Sequence, residues 1–222
     1  MGKTAIVSVF ALAVVGALAG SALANTLGPY IASIADSTTD WSGNMSFPQF
    51  SPSLGTLSEV VFYISSTQKT TLTIQNNAAS PSSGSATTEV QLSVLDPGNY
   101  FSPDVPQLDF YSPAYAYSLA SGGSVTSGLL TKTANNALIY VDAGTLNEFT
   151  GLGNIALSAS TFTQTLLANN GGNTSASQAT SADATGEITY FYTPAVPEPG
   201  TLVLLGTAGI GLLAYAWRRR RS

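Results

Sequence analysis

Alternating hydrophobic and polar residues dominate the middle of the chain. In segment 88–95, Val90, Leu92 and Val94 alternate with polar residues. A period of two in runs rich in Thr, Val and Tyr is typical of β-strands with one buried face. The same pattern predicts further strands at 57–65, 70–75, 137–142, 154–165 and 187–192.

Turn-forming residues separate these runs and complete the pattern of an all-β fold. Gly, Asn, Asp and Pro cluster at 75–77, 96–99, 121–123 and 169–172, where they favour reversals of the backbone. No window of a dozen residues between 25 and 195 sustains a helical period. We therefore predict an antiparallel β-sandwich over 25–168, followed by a Ser/Thr-rich last strand and flexible linker over 169–195.

The first 24 residues have the features of a secretory signal peptide. Lys3 precedes an apolar run at 6–19, and Ala22 and Ala24 place small residues at the positions that signal peptidase reads. The run is about 14 residues long, which is short for a membrane span of ~20 residues. We predict passage through the Sec translocon and cleavage after Ala24.

The other end of the chain predicts a single transmembrane helix. Segment 200–217 carries no charge and is mostly apolar, with Tyr215 and Trp217 near its end. Eighteen helical residues cover about 27 Å, just enough for the hydrocarbon core of a bilayer. The cluster Arg218, Arg219, Arg220 and Arg221 is expected to stay cytoplasmic. The body would then lie on the opposite side of the membrane.

A short proline-containing motif stands directly before this helix. It reads Val196-Pro197-Glu198-Pro199, and its two prolines prevent regular helix or central strand. Together with the apolar helix and the arginine cluster, residues 196–222 resemble a PEP-CTERM sorting signal. The resemblance implies export in an exopolysaccharide-producing Gram-negative bacterium, a transient anchor in the inner membrane, and processing by a membrane enzyme called exosortase. The mature protein would then be at the cell surface or extracellular.

Part of the body resembles a second family. The segment Phe50-Ser51-Pro52-Ser53-Leu54-Gly55-Thr56-Leu57, with the strands that follow it up to Asn76, is similar to the opening of the choice-of-anchor E domain. This resemblance implies a surface-protein domain and assigns no catalytic residue.

Composition narrows the chemistry that the body can perform. The chain has no His and no Cys, which excludes Ser-His-Asp and Cys-His hydrolysis, zinc fingers and disulfides. Between 25 and 195, two lysines stand against eleven acidic residues, and Ser and Thr make up 48 of 171 residues. An acidic body repels phosphate backbones, so nucleic acid is not expected as a partner.

Candidate binding chemistry in the body is weak. Asp96, Asp104 and Asp109 lie close together in sequence and form a conceivable calcium site, although loop aspartates are more often turn residues. Aromatic residues between 100 and 117 suit either sugar stacking or core packing. We predict no enzyme, metal or cofactor, and a structural surface protein associated with exopolysaccharide or biofilm. The alternatives are a module that binds matrix polysaccharide and a carboxylate-dependent enzyme that acts on glycans.

Overall fold

The computed structural model describes residues 25–101, 104–195 and 199–219, with backbone alone for 199–205, 214 and 215. The predicted signal peptide, including Ala22 and Ala24, lies outside the described residues. These residues contain ten strands, two α-helices and a short 3-10 helix at Pro52–Leu54. The strands and α-helices follow in the order β1 Asn25–Thr38, β2 Ser42–Pro48, β3 Gly55–Asn76, β4 Ser82–Leu95, β5 Gln107–Tyr111, β6 Tyr115–Leu119, β7 Ser124–Thr126, β8 Leu130–Tyr140, α1 Ala143–Glu148, β9 Asn154–Asn170, β10 Thr174–Pro194 and α2 Pro199–Arg219.

The strands form two five-stranded sheets in which the paired strands run antiparallel. Sheet I has the order β1–β10–β3, and both β7 and β8 pair with the outer edge of β3. Sheet II has the order β2–β9–β4, with β5 and β6 on the outer edge of β4. The inner faces of the two sheets pack against each other. The prediction of an antiparallel sandwich-like body is confirmed.

Aromatic side chains fill the larger part of the core. Phe62 meets Phe47 edge-on at 6.1 Å between ring centroids, and Phe101 stacks on Tyr140 at 4.7 Å. The hydroxyl of Tyr140 donates to the carbonyl oxygen of Asp104 at 2.7 Å, so this buried phenol keeps a hydrogen-bond partner. Burial raises the pKa of Tyr140.

A layer of buried polar residues divides this core from a smaller one around Leu72 and Ile74. The Thr70 hydroxyl hydrogen-bonds to the hydroxyl of Thr88 across the sandwich at 3.0 Å and to that of Thr180 at 2.7 Å. The hydroxyls satisfy one another, which removes most of the cost of burying them. Strand β3 therefore continues through a segment that separates the two predicted strands 57–65 and 70–75.

Segment 169–195, predicted as a Ser/Thr-rich last strand and flexible linker, is mainly strand in the structure. β10 covers Thr174–Pro194 and lies between β1 and β3, in the interior of sheet I. Its inward positions carry small residues, among them Ala182, Ala184 and Gly186. A Cβ built on Gly186 lies 3.0 Å from both Phe47 and Phe62. Large side chains of the core therefore fill the space above this strand, so its polar appearance does not indicate a linker.

The C-terminal segment is helical, as predicted, from Pro199 to Arg219. Within the residues that the structure describes, however, no helix has both the length and the apolar character needed to cross a membrane. The prediction of a transmembrane helix over 200–217 is thus not met by the described residues. Gly206, Gly209 and Gly211 interrupt the large apolar side chains of this helix.

Candidate functional site

The sorting segment begins where the central strand of sheet I ends. Pro194, the last residue of β10, pairs with Gly55 at the start of β3. The amide of Ala195 then donates to the carbonyl oxygen of Leu54 at 3.0 Å. Gly55 has a φ of +146°, and a Cβ there would collide with the Thr193 carbonyl and the Ala195 amide. Glycine at this position therefore lets the end of β10 pack closely against the chain that precedes β3.

The structure describes only part of the predicted sorting residues. Val196, Pro197 and Glu198 lie outside the described residues, and Pro199 is the first residue of α2. Arg218 and Arg219 occupy the last turn of α2, whereas Arg220 and Arg221 lie outside the described part. Two cations at a helix C-terminus interact favourably with the helix dipole.

Large apolar side chains on the described part of α2 are exposed. They include Ile210, Leu212, Leu213 and Trp217. Among the described residues, and apart from the chain neighbours of each glycine and the nearby helix backbone, no atom lies within 4 Å of a Cβ built on Gly206, Gly209 or Gly211. A helix face of this kind, lined by small residues, allows close approach of another helix.

A second candidate site lies on the outer face of sheet II. Glu89 belongs to β4, and its carboxylate accepts a hydrogen bond from the Gln91 amide at 2.7 Å and from the Gln164 amide at 2.5 Å. Although Glu89 points outward, its side chain is only 4% exposed. The hydrogen bond from Gln91 is the main cause of the lowered pKa of Glu89. Burial and a hydrogen bond with Glu89 raise the pKa of Asp109.

Two exposed aromatic side chains flank this carboxyl pair. In the strand register, Glu89 stands between Gln164 and Tyr111, and Gln91 stands between Phe162 and Asp109. Tyr111 is 46% exposed and Phe162 is 54% exposed. The six residues form two adjacent rows across β9, β4 and β5.

A second carboxyl pair lies in the loop after β4. The Asp96 carboxylate accepts hydrogen bonds from the backbone amides of Tyr100 at 2.6 Å and Phe101 at 3.2 Å. Glu148 Oε1 accepts a hydrogen bond from the backbone amide of Gly98 at 2.7 Å. Burial and a hydrogen bond with Asp96 raise the pKa of Glu148 to about 7. Burial alone would raise the pKa of Asp96, but hydrogen bonds from Glu148 and the loop amides lower it. These contacts hold the loop and α1 together.

The structure does not bring the three candidate calcium ligands together. Asp96 pairs with Glu148 and Asp109 pairs with Glu89, while the carbonyl of Asp104 accepts the Tyr140 hydroxyl. Among the described residues, no group of three or more acidic side chains is arranged to hold a metal ion.

The aromatic residues between 100 and 117 divide between core and surface. Phe101, Phe110 and Tyr117 are buried, whereas Tyr100 and Tyr111 are exposed. Sequence reasoning missed the contribution of Glu89, Gln91, Phe162 and Gln164 to the site around Tyr111. One signal was available: a large aromatic residue, Phe162, occupies an outward position of an alternating strand.

Comparison with known proteins identifies the C-terminal segment. Residues 195–221 match the PEP-CTERM protein-sorting motif, which supports an exported protein sorted by an exosortase-type membrane enzyme. The match covers 27 of 222 residues and leaves the body unassigned. No curated protein matches the chain.

A solved structure of the infectious bursal disease virus Gt strain shows a weak similarity. It shares 12% sequence identity over 78% of this chain and 38% of that chain, with a TM-score of 0.18. The chain therefore spans less than half the length of that protein, and a TM-score this low carries no argument about fold or function.

Proposed function

We propose that this protein is exported, held briefly in the inner membrane by its C-terminal segment, and released to the cell surface by an exosortase-type enzyme that acts at Val196–Pro199. The match of residues 195–221 to the sorting motif is the observation that carries this proposal. The Sec translocon and signal peptidase would act first, at Ala24. The mature body would be a structural component of an exopolysaccharide matrix or biofilm.

The exposed apolar residues of α2 support a temporary membrane anchor. Such a helix, with no described residue of the body within 4 Å of a Cβ built on its glycines, has a lower free energy in lipid than in water. Arg218 and Arg219 at its end favour the cytoplasmic side. A glycine-lined helix face also suits contact with a membrane-embedded processing enzyme.

The position of the motif relative to the fold supports cleavage without unfolding. Ala195 is still hydrogen-bonded to Leu54, and α2 begins at Pro199. Four residue steps join Ala195 to Pro199, a reach of at most about 14 Å. The enzyme would thus cut between a folded body and the membrane, and the body would leave intact.

For the body, we propose a non-enzymatic role and a relationship to the choice-of-anchor E domain. The absence of His and Cys from the sequence and the resemblance of the segment from Phe50 to Asn76 support these two proposals. The two carboxyl pairs are in hydrogen-bond contact, whereas the carboxyl groups of glycosidases are about 5–9.5 Å apart. This difference favours binding or structure over glycan hydrolysis.

Mass spectrometry of the native host tests the sorting proposal. We expect peptides up to the motif in the extracellular fraction and no peptide from Leu202 onward. Replacing Pro197, Glu198 and Pro199 with alanine should retain the full-length chain in the inner membrane. Pro194→Ala, just outside the matched segment, is the control and should be processed normally.

Two results would contradict the proposal. The first is a mature protein that still carries the arginine cluster, and the second is normal processing of the triple-alanine variant. The first result would make the C-terminal helix a permanent anchor, and the second would show that cleavage does not depend on Pro197–Pro199.

A further inference from the structure

The outer face of sheet II carries a surface that the sorting function does not use. We call it the sheet II platform and define it as Glu89, Gln91, Asp109, Tyr111, Phe162 and Gln164. Its two rows are fixed by the register of three paired strands. A surface built on strands holds its side chains more rigidly than one built on loops.

The centre of the platform is a carboxylate held in one orientation. Both oxygens of Glu89 accept amide hydrogen bonds, at 2.7 Å from Gln91 and 2.5 Å from Gln164. Burying a carboxylate on the solvent-facing side of a sheet costs solvation free energy. A pure stability role would be met more simply by a neutral residue at this position. Preorganised amide and carboxyl groups are instead what a binding site requires.

The edges of the platform present flat apolar surface. Tyr111 and Phe162 are about half exposed and stand diagonally across β4. Because they are two strands apart and offset by two residues along the strands, their Cα atoms lie about 12 Å apart. This separation exceeds one sugar ring, so the two aromatic rings can contact different units of one chain. Aromatic faces next to polar groups suit ligands that are themselves amphipathic.

A shallow cavity continues the platform between β4 and β5. It has a volume of about 170 Å³ and is lined by Gln91, Leu92, Ser93, Gln107, Leu108 and Asp109. Its amide, hydroxyl and carboxyl groups both donate and accept hydrogen bonds. Hydroxyl groups of a ligand need this mixture.

The charge of the platform excludes an anionic ligand. Glu89 lies at its centre and Asp109 at its β5 edge, and the two lysines of the described body are on sheet I, Lys69 in β3 and Lys132 in β8. Without a cation nearby, a carboxylated or sulfated glycan would meet repulsion. A neutral, hydroxyl-rich chain would not.

We propose that the sheet II platform binds a neutral polysaccharide, with Tyr111 and Phe162 stacking on sugar rings and the central amide and carboxyl groups hydrogen-bonding to hydroxyls. This inference deepens the matrix role proposed for the body and does not depend on sorting by an exosortase. A failure of the sorting experiment would leave it unaffected.

Affinity electrophoresis in gels that contain extracellular polysaccharide of the producing organism tests the proposal. The polysaccharide is separated by anion exchange into a neutral and an acidic fraction, and the mature protein from the native host is run in each. We expect the neutral fraction to retard the wild-type protein. The double substitution Tyr111→Ala with Phe162→Ala should weaken binding roughly tenfold or more, the loss typical of central aromatic anchors.

Two further variants separate binding from folding. Ile139→Ala removes a side chain of comparable exposure, 58%, from the outer face of sheet I and should bind like wild type. Phe162→Trp keeps a stacking surface and should retain binding. The proposal is overturned if the neutral fraction does not retard the wild-type protein, if only the acidic fraction does so, or if the double variant binds unchanged.

Discussion

At the scale of single residues, the carboxyl groups of Asp96 and Glu148 tie the loop after β4 to α1 by accepting hydrogen bonds from the loop amides. Glu148 Oε1 accepts the amide of Gly98, while its Oε2 is buried without a hydrogen-bond donor among the described residues. A proton on Glu148 can be donated to Asp96, whose oxygens already accept two backbone amides. Two adjacent carboxyl groups in a partly dry site cannot both ionise without repulsion.

This pair predicts a loss of stability as the pH rises. The pKa of Glu148 is raised to about 7 from an ordinary value of 4.5, so the folded state holds more protons than the unfolded state between these values. The free energy of unfolding should therefore fall as pH increases from about 4.5 to about 7. The raised pKa of Asp109 acts in the same direction.

Thermal melts from pH 5 to pH 8 measure this effect. Glu148→Gln keeps an acceptor for the Gly98 amide and a donor for Asp96 but does not titrate. Between pH 5 and pH 8, the free energy of unfolding of the variant should therefore fall by about 1–2 kcal/mol less than that of wild type. Asn147→Ala, which changes an exposed residue of α1 that does not titrate, is the control and should leave the pH profile unchanged. Equal slopes for wild type and Glu148→Gln would show that the pair does not share a proton.

At the scale of elements, β10 shows why small residues are required inside this sandwich. Gly186 faces inward beneath Met45, Phe47 and Phe62, with 3.0–3.2 Å from a built Cβ to each. Gly186→Ala should destabilise the fold by about 1–3 kcal/mol, because a close-packed core must shift to accept a methyl group. Urea unfolding measures the loss. Gly128→Ala, where nothing lies within 4 Å, should change stability by less than about 0.5 kcal/mol.

The same strand marks the limit of what the sequence predicts. Alternation of large apolar and polar residues identified the strands around Phe62, Val90 and Ile188, because each of these side chains fills one face of the core. It did not identify the first half of β10, whose inward positions are Thr180, Ala182 and other small residues. At Gly186, for example, the space for a side chain is limited by Phe47 and Phe62, which lie on other strands and outside any local window.

The candidate sites likewise differ in whether their residues are close together in the sequence. The sorting motif is contiguous, so a sequence reader finds it directly from Pro197 to Arg221. The sheet II platform joins Glu89, Asp109 and Gln164, which are distant in sequence and become neighbours only through the pairing of β4 with β5 and β9. Without that register, the carboxyl pair could not be distinguished from the other acidic residues.

At the scale of the whole molecule, both ends of the described sandwich lie at one end of sheet I. Asn25, at the predicted mature N-terminus, pairs with Tyr192 near the end of β10. The two ends of the sandwich are therefore held together. β1 pairs with β10 along its length, and the amide of Ala195 donates a hydrogen bond to the carbonyl oxygen of Leu54. Nothing in the described sandwich requires the residues beyond Ala195 for its hydrogen bonds or core.

This arrangement predicts a sharp boundary between dispensable and essential residues at the C-terminus. A chain that spans 25–195 should unfold at the same temperature as the natural processed protein, because it retains all of β10 and the hydrogen bond of Ala195 to Leu54. A chain that ends at Thr185 loses the partners of Leu57–Ile64 in β3 and the buried side chains of Ile188 and Tyr190. The shorter chain loses both these core side chains and the strand pairing. We expect the combined loss to exceed the stability of a typical domain, about 5–15 kcal/mol. Circular dichroism during heating should show a cooperative transition for the first chain and none for the second. A cooperative transition in the shorter chain would mean that the last part of β10 is an appendage, and that the sorting segment is separated from the folded body by a linker.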